Sequence, residues 1–307
     1  MNGLSSSAAP DDLKVFIKRE PLKLSKLEDG RYRLIMVMSL EDQMVDRVLF
    51  SGFSDIEKFR CLSIPGKSGW TPLPVGFKAF RAAFPNGTLA TDCSAFDWTF
   101  PAWVVDMLCD LYMDMYICPS PELVRKVRTR WLQVLSYSTI RLPDGSRYQQ
   151  IGHGLMKSGW FRTIGVNSAA QVLIHDLAAL RSGIDRPLTL WTMGDDVVIS
   201  WPEDRPEAAF LAALATTGIL VKQAERTPDF AGFRITADSV TPLYPRKHLF
   251  LLDHVAPDLA KEIANAFQMM YCMAKGDDAV VIRNVISKHA TVTSRLALHW
   301  AHGVVKM

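Results

Sequence analysis

Cysteine is scarce and unpatterned. The five among 307 residues (Cys61, Cys93, Cys109, Cys118 and Cys272) show no C-x-x-C spacing, so neither a disulfide framework nor a zinc site is expected. No apolar run reaches the roughly 20 residues that cross a bilayer, and no membrane span is expected. The start of the chain, MNGLSSSAAPDD, is small and polar and carries none of the basic and apolar regions of a secretory leader. No internal repeat exceeds a three-residue echo. Neither sign of charge dominates: 35 Lys and Arg face 32 Asp and Glu, a net charge of +3, which permits a nucleic-acid partner without requiring one. His299 and His302 stand three apart with no third ligand near them in sequence, and they read as a surface pair.

What is present suffices for a large folded unit. The chain is 49% hydrophobic and 22% charged, enough apolar residue to bury a sizeable core. The cations cluster: Lys18, Arg19, Lys23, Lys26, Arg31 and Arg33 fall in one segment, and Arg125, Lys126, Arg128 and Arg130 in another. RYRLIMVMSL reads as a strand, followed by a helix capped near Ser39. Residues 60–90 are rich in Pro and Gly and read as loops. TLATDCSAF reads as a strand ending in a turn, and the next helix opens at Pro101. Asp106, Asp110 and Asp114 recur every four residues along it, as one wet face. A helix over PELVRKVRTRWLQVL, a hairpin around PDG and a long helix over SGWFRTIGVNSAAQVLIHDLAAL follow.

The stretch LTLWTMGDDVVISW raises a physical problem. Asp195 and Asp196 are adjacent in the middle of an apolar run, and two carboxylates about 4 Å apart repel by roughly 1 kcal/mol in water and about 4 kcal/mol near a protein surface. Either the pair is an exposed turn or something positive compensates it. The chain repeats the triplet at Gly276, Asp277 and Asp278, so at most one copy needs a special explanation. The second copy lies between two helical patterns and reads as an exposed linker.

Context selects the first copy. Four pieces occur in order: Asp92 and Asp97 at the end of a strand; Ser158, Gly159, Thr163 and Asn167, the last three each four apart and so on one helix face; Gly194, Asp195 and Asp196 in a hairpin; and Lys222 on a later strand. In this order the sequence resembles the viral RNA-dependent RNA polymerases, matching their palm motifs A, B, C and D. FAGFRI, which begins at Phe230 and contains Arg234, stands where motif E would be, and the basic segment 18–33 where motif F would be. GRYRLIMVMSLEDQMVDRVLF is similar to the sobemovirus- and polerovirus-type positive-strand RNA virus polymerases.

The resemblance implies an α+β right-hand polymerase fold. Fingers with motif F would cover 1–90, the palm 91–245 with a fingers insertion at about 118–155, and a short helical thumb 246–307. It implies Asp92, Asp195 and Asp196 as ligands of two Mg²⁺ ions, with Mn²⁺ as a substitute, and Lys222 as a proton donor. Asp97 and Asn167, with Ser158, Gly159 and Thr163 nearby, would recognise the ribose, and Lys18, Arg31 and Arg33 the triphosphate, with Lys23 and Lys26 as lesser candidates. Arg125, Arg128, Phe230 and Arg234 would contact RNA. The implied partners are template and product RNA, NTPs and a protein primer, in a replication complex in the host cytoplasm. The longer N-terminal fingers and motif G of the family are not found in the sequence, so a fragment, a processed product or a compact version is expected. Two other readings remain at this stage: a reverse transcriptase, against which the Gly before Asp195 and the presence of Asn167 argue, and a silent relic that only binds RNA, against which the intact acids argue.

Overall fold

The structure is a computed structural model that describes residues 9–22, 24–184 and 188–306; Lys23 and the first eight residues lie outside these ranges. Its elements mix helices and sheets, the α+β class. The first third contains β1 (Leu13–Ile17), α1 (Leu24–Glu28), β2 (Leu34–Val37), α2 (Leu40–Phe59), α3 (Gly76–Ala83) and β3 (Thr88–Cys93). The middle contains α4 (Ala102–Asp114), α5 (Pro121–Leu135), β4 (Thr139–Arg141), β5 (Arg147–Gln149), α6 (Thr163–Arg181), β6 (Leu190–Met193) and β7 (Asp196–Ser200). The last part contains α7 (Ala208–Ala215), β8 (Val221–Glu225), β9 (Asp229–Phe230), β10 (Phe233–Ile235) and β11 (Val240–Pro242), then α8 (Pro245–Asp253), α9 (Ala260–Met270), α10 (Asp277–Ile286) and α11 (Ser294–Ala301).

Two compact units are assembled from separate stretches. One takes the residues up to Gly69, Thr91–Val197 and Pro206–Ala224; the other takes Trp70–Ala90, Val198–Arg205 and the residues from Glu225 onward.

In the first unit, local chemistry sets the helix ends. Ser39 caps α2 by accepting from the Asp42 N–H at 3.1 Å, and Ser120 caps α5 in the same way from Leu123 at 3.2 Å, with Pro121 in the first turn. Asp106, Asp110 and Asp114 do form an exposed face of α4. The basic segment 18–33 connects β1 to β2, which pair antiparallel in a sheet of order β2-β1-β4-β5. The long helix α6 starts at Thr163, five residues later than expected, so Ser158 and Gly159 belong to the loop before it. Its apolar face (Val166, Ala170, Ile174, Ala178 and Ala179) is fully buried.

Two buried ion clusters brace this unit. Arg130 donates to Asp46 at 2.6 and 3.0 Å and to Asp42 at 2.7 Å, and the Trp160 indole N–H donates to Asp46 at 3.1 Å. Burial pushes the Asp46 carboxyl up, and Arg130 offsets part of that rise. Arg162 forks onto Glu57 at 2.7 and 2.8 Å and also reaches Ser54 and the Tyr112 hydroxyl. Removing one partner of such a buried pair typically costs about 3–5 kcal/mol.

In the second unit, residues 76–83 form an amphipathic helix with Phe77 and Phe80 buried, where loops were expected. Pro and Gly flank that helix without entering its interior, and this is what concealed it. Helices α8 to α10 enclose a core of Ala264, Tyr271, Ala279, Ile282 and Ile286. The second triplet is also not a linker: Gly276 caps α10, and Asp277 and Asp278 lie exposed in its first turn.

Candidate active site

The sheet of order β6-β7-β3-β8 brings three of the four sequence pieces side by side. β6 and β7 join at Gly194-Asp195, and β7 begins at Asp196. β3 follows, then β8 with Lys222, at the roughly 4.8 Å strand spacing. Alternation along β3 buries Thr91 and Cys93 and turns Asp92 to the opposite, open face. Asp92 therefore stands between the acid-tipped hairpin and the strand that carries Lys222.

The charges interact as that placement requires. The Lys222 ammonium forms an ion pair with Asp92. Asp196 retains exposed surface, yet burial of its carboxyl, with Asp195 and then Asp92 as repelling neighbours, pushes it up to about 6. Burial likewise pushes the Cys93 thiol up to about 11, with Asp92 and Asp195 adding to the rise. Among the described residues, no three His, Cys, Asp or Glu side chains are gathered closely enough to hold a metal ion as they stand.

Asp97 lies in the turn after β3, where Ala95 takes a positive φ of 49°. Its backbone carbonyl accepts from Met156 N–H at 2.7 Å, and its carboxyl accepts from Asn167 Nδ2 at 3.1 Å. Burial raises the Asp97 carboxyl; the Asn167 bond offsets this, Asp195 adds to it and Arg33 lowers it. Asn167 is 4% exposed, and its Oδ1 is buried without a hydrogen-bond partner. A buried acceptor left unmade is costly and calls for an explanation.

Other predicted residues are engaged elsewhere. Ser158 Oγ accepts from the Met36 N–H at 3.1 Å, and the Gly159 N–H donates to the Met36 carbonyl at 2.9 Å. A Cβ at Gly159 would meet that oxygen at 2.2 Å, so close approach to β2 accounts for the glycine. The Thr163 hydroxyl donates to the Lys157 and Trp160 carbonyls, both at 2.6 Å, securing the turn that enters α6. Of the candidate helix face, only Asn167 meets the acids.

The cations also separate. Lys18 and Arg33 each lie 3.4 Å from Glu20, and Arg31 pairs with Asp29 at 2.5 Å. Arg128 pairs with Asp110, Arg125 is exposed, and Arg130 belongs to the buried cluster. Within the second unit, Phe230 is 2% exposed and packs near Trp70 and Phe80, so as a core ring it offers no surface for a base to stack on, which corrects the expectation. Arg234 is held by Asp229 at 2.7 and 2.8 Å.

Ser168, beside Asn167, escaped the sequence reading although its hydroxyl accepts from the Gly194 N–H at 2.9 Å. Its only signal was adjacency to a candidate residue. A groove of about 930 Å³ lined by residues such as Lys14, Val37, Arg141 and Arg147 contains none of the candidate acids.

Comparison with known proteins identifies the family. Residues 12–241 match the family described as viral RNA-dependent RNA polymerase. The chain is 32% identical over 262 residues to Protein P1-P2 of Turnip yellows virus, covering 79% of this chain and 24% of that protein. It is 32% identical over 271 residues to Protein P1-P2 of Pea enation mosaic virus-1, covering 81% and 21%. It is 31% identical over 230 residues to Replicase polyprotein P2AB of Cocksfoot mottle virus, covering 71% and 22%. The chain thus spans about a quarter or less of the length of these relatives. With well over half of its residues inside the family match, the protein belongs to the viral RNA-dependent RNA polymerase family.

Proposed function

We propose that this protein is an RNA-directed RNA polymerase that extends an RNA strand from NTPs on an RNA template, within the replication complex of a positive-strand RNA virus in the host cytoplasm. One observation carries the reading: Asp92 on β3, and Asp195 and Asp196 at the tip of the neighbouring β6–β7 hairpin, gather beside the Asp97–Asn167 pair. In the corresponding right-hand layout, residues 1–90 and about 118–155 act as fingers, 91–245 as palm and 246–307 as thumb.

The donor set fits divalent cations. Three carboxylates supply hard oxygen ligands, and a cation relieves both the burial of charge and the repulsion by Asp195 and Asp92 that raise Asp196. Asp92 and Asp195 would hold two Mg²⁺ ions, with Asp196 as an auxiliary ligand and Mn²⁺ as a substitute. When bound, such ions neutralise charge on the transferring phosphoryl group and orient the attacking and leaving oxygens.

The chain's own groups supply positioning and proton transfer. The 3′-hydroxyl gives up its proton to water as its oxygen bonds to the α-phosphorus, the bond from that phosphorus to the bridging oxygen breaks, and pyrophosphate leaves. Lys222, beside Asp92, gives a proton to the departing pyrophosphate. The unpartnered Asn167 Oδ1 accepts from the ribose 2′-hydroxyl, while Asp97 holds the amide in place. Lys18, Arg31 and Arg33 meet the triphosphate; Arg33 already lies close enough to lower Asp97. Arg125 and Arg128 follow template phosphates, and initiation uses a protein primer.

Template-directed incorporation with Mg²⁺, comparing NTP with dNTP, tests the proposal. Incorporation of NTP in strong preference to dNTP is expected. Equal use of both favours a reverse-transcriptase-like activity, and none with any divalent metal favours a module that only binds RNA.

A further inference from the structure

Asn167 and Ser168 are consecutive on α6, and their side chains reach two different acid-bearing segments. Asn167 holds Asp97, in the turn after β3. The Ser168 hydroxyl donates to the Ile164 carbonyl one turn back, at 2.7 Å, and accepts from the Gly194 N–H at 2.9 Å. The Ser168 carbonyl accepts in turn from the Thr192 hydroxyl at 3.0 Å. Ser168 is 2% exposed and Thr192 fully buried. The backbone of Thr192 is also bonded to residues 65–67: its N–H donates to Pro65, and its carbonyl accepts from Lys67 at 2.8 Å.

The back-bond to Ile164 fixes the rotamer of Ser168 and aims its free lone pair at the hairpin. Gly194 takes a φ of +66°, and nothing lies within 4 Å of where its Cβ would be. Its glycine thus serves backbone conformation, and Ser168 supplies the external anchor for that turn. The next residue is Asp195.

The geometry points to Ser168 as a positioning residue that sets the height of the Asp195–Asp196 turn against the same turn of α6 that holds Asp97. This rests on the polymerase reading above. Ser168 touches neither substrate nor cation; it acts through Gly194. Loss of its hydroxyl lets the hairpin tip drift and loosens the grip on divalent cations, while the Asn167–Asp97 bond and the selection of the ribose persist.

The test measures Mn²⁺ binding to the full chain by electron paramagnetic resonance, together with Mg²⁺ titration of template-directed incorporation, the NTP-to-dNTP ratio and thermal unfolding. Ser168→Ala is expected to raise the Mn²⁺ Kd and the half-saturating Mg²⁺ by roughly three- to tenfold, the effect of losing one net hydrogen bond, with the NTP-to-dNTP ratio unchanged. Thr192→Val loosens β6 from α6 without touching Gly194; it is expected to lower the melting temperature while leaving the Mn²⁺ Kd within about twofold. If Ser168→Ala does not fold, Ser168→Thr keeps the hydroxyl, and Mn²⁺ binding within about twofold of the parent supports the proposal. Parent-like Mn²⁺ binding by folded Ser168→Ala, an equal loss in Thr192→Val, or a tenfold loss in folded Ser168→Thr overturns it. A parent protein that neither binds Mn²⁺ nor incorporates nucleotide overturns the polymerase reading itself, and this inference with it.

Discussion

The Asn167 amide donates to the Asp97 carboxylate at 3.1 Å while its own oxygen remains buried and unmatched. A pair left half satisfied in this way is suited to a ligand hydroxyl. Asn167→Ala is expected to lower the preference for NTP over dNTP by at least about tenfold, because a site built to bond a hydroxyl discriminates through the groups it leaves unpaired. Competition between the two nucleotides in primer extension measures it; an unchanged ratio would remove Asn167 from ribose recognition.

The two Gly-Asp-Asp copies predict opposite outcomes. Asp195→Ala should abolish synthesis. Asp277→Ala should leave it within about twofold and cost about 0.5 kcal/mol of stability, since Asp277 is only an acid in the first turn of α10. Incorporation rates and thermal unfolding of both variants decide the matter, and equal loss of synthesis would show that the wrong copy was chosen.

Gly159→Ala should destabilise the fold by about 3 kcal/mol, because the new Cβ would meet the Met36 carbonyl oxygen at 2.2 Å and rigid backbone lies on both sides. Chemical denaturation measures the loss. A variant as stable as the parent would mean that the 158–159 loop is not pinned to β2 in solution.

His175 predicts a dependence on pH. It is fully buried, with Nδ1 donating to the Gln171 carbonyl at 2.8 Å and Nε2 accepting from Thr91 at 2.9 Å, and burial pulls it down to about 4. The unfolded chain takes up this proton near pH 6.5, and the folded chain only near pH 4. The stability present above pH 6.5 is therefore lost as the pH falls through that window, by up to about 1.4 kcal/mol per unit. His175→Gln should show a shallower acid slope than the parent in denaturation curves recorded from pH 7 to 4. Parallel slopes would contradict the neutral assignment.

Local signals made part of this site legible. A strand of alternating burial carrying Asp92, Ser39 and Pro121 at helix starts, and a hairpin around Gly194 are each decided by a few neighbouring residues. The sequence could not reveal which polar residues are consumed by long-range packing. Ser158 and Gly159 meet Met36, 122 residues away for Ser158, and Arg130 meets Asp42 and Asp46 more than 80 residues back. Phe230 read as an RNA contact because only its position relative to the motifs was visible; that it packs against Phe80 depends on α3, a helix hidden by the prolines and glycines around it.

The buried knot of Arg130, Asp42, Asp46 and Trp160 constrains descent as well as stability. Each member is tied to another that lies in a different part of the gene, and replacing Arg130 leaves Asp42 and Asp46 without their buried cation until they change too. Lineages that keep this arrangement should inherit these four as a block, and lineages that abandon it should have replaced the charged members with apolar side chains of matching volume.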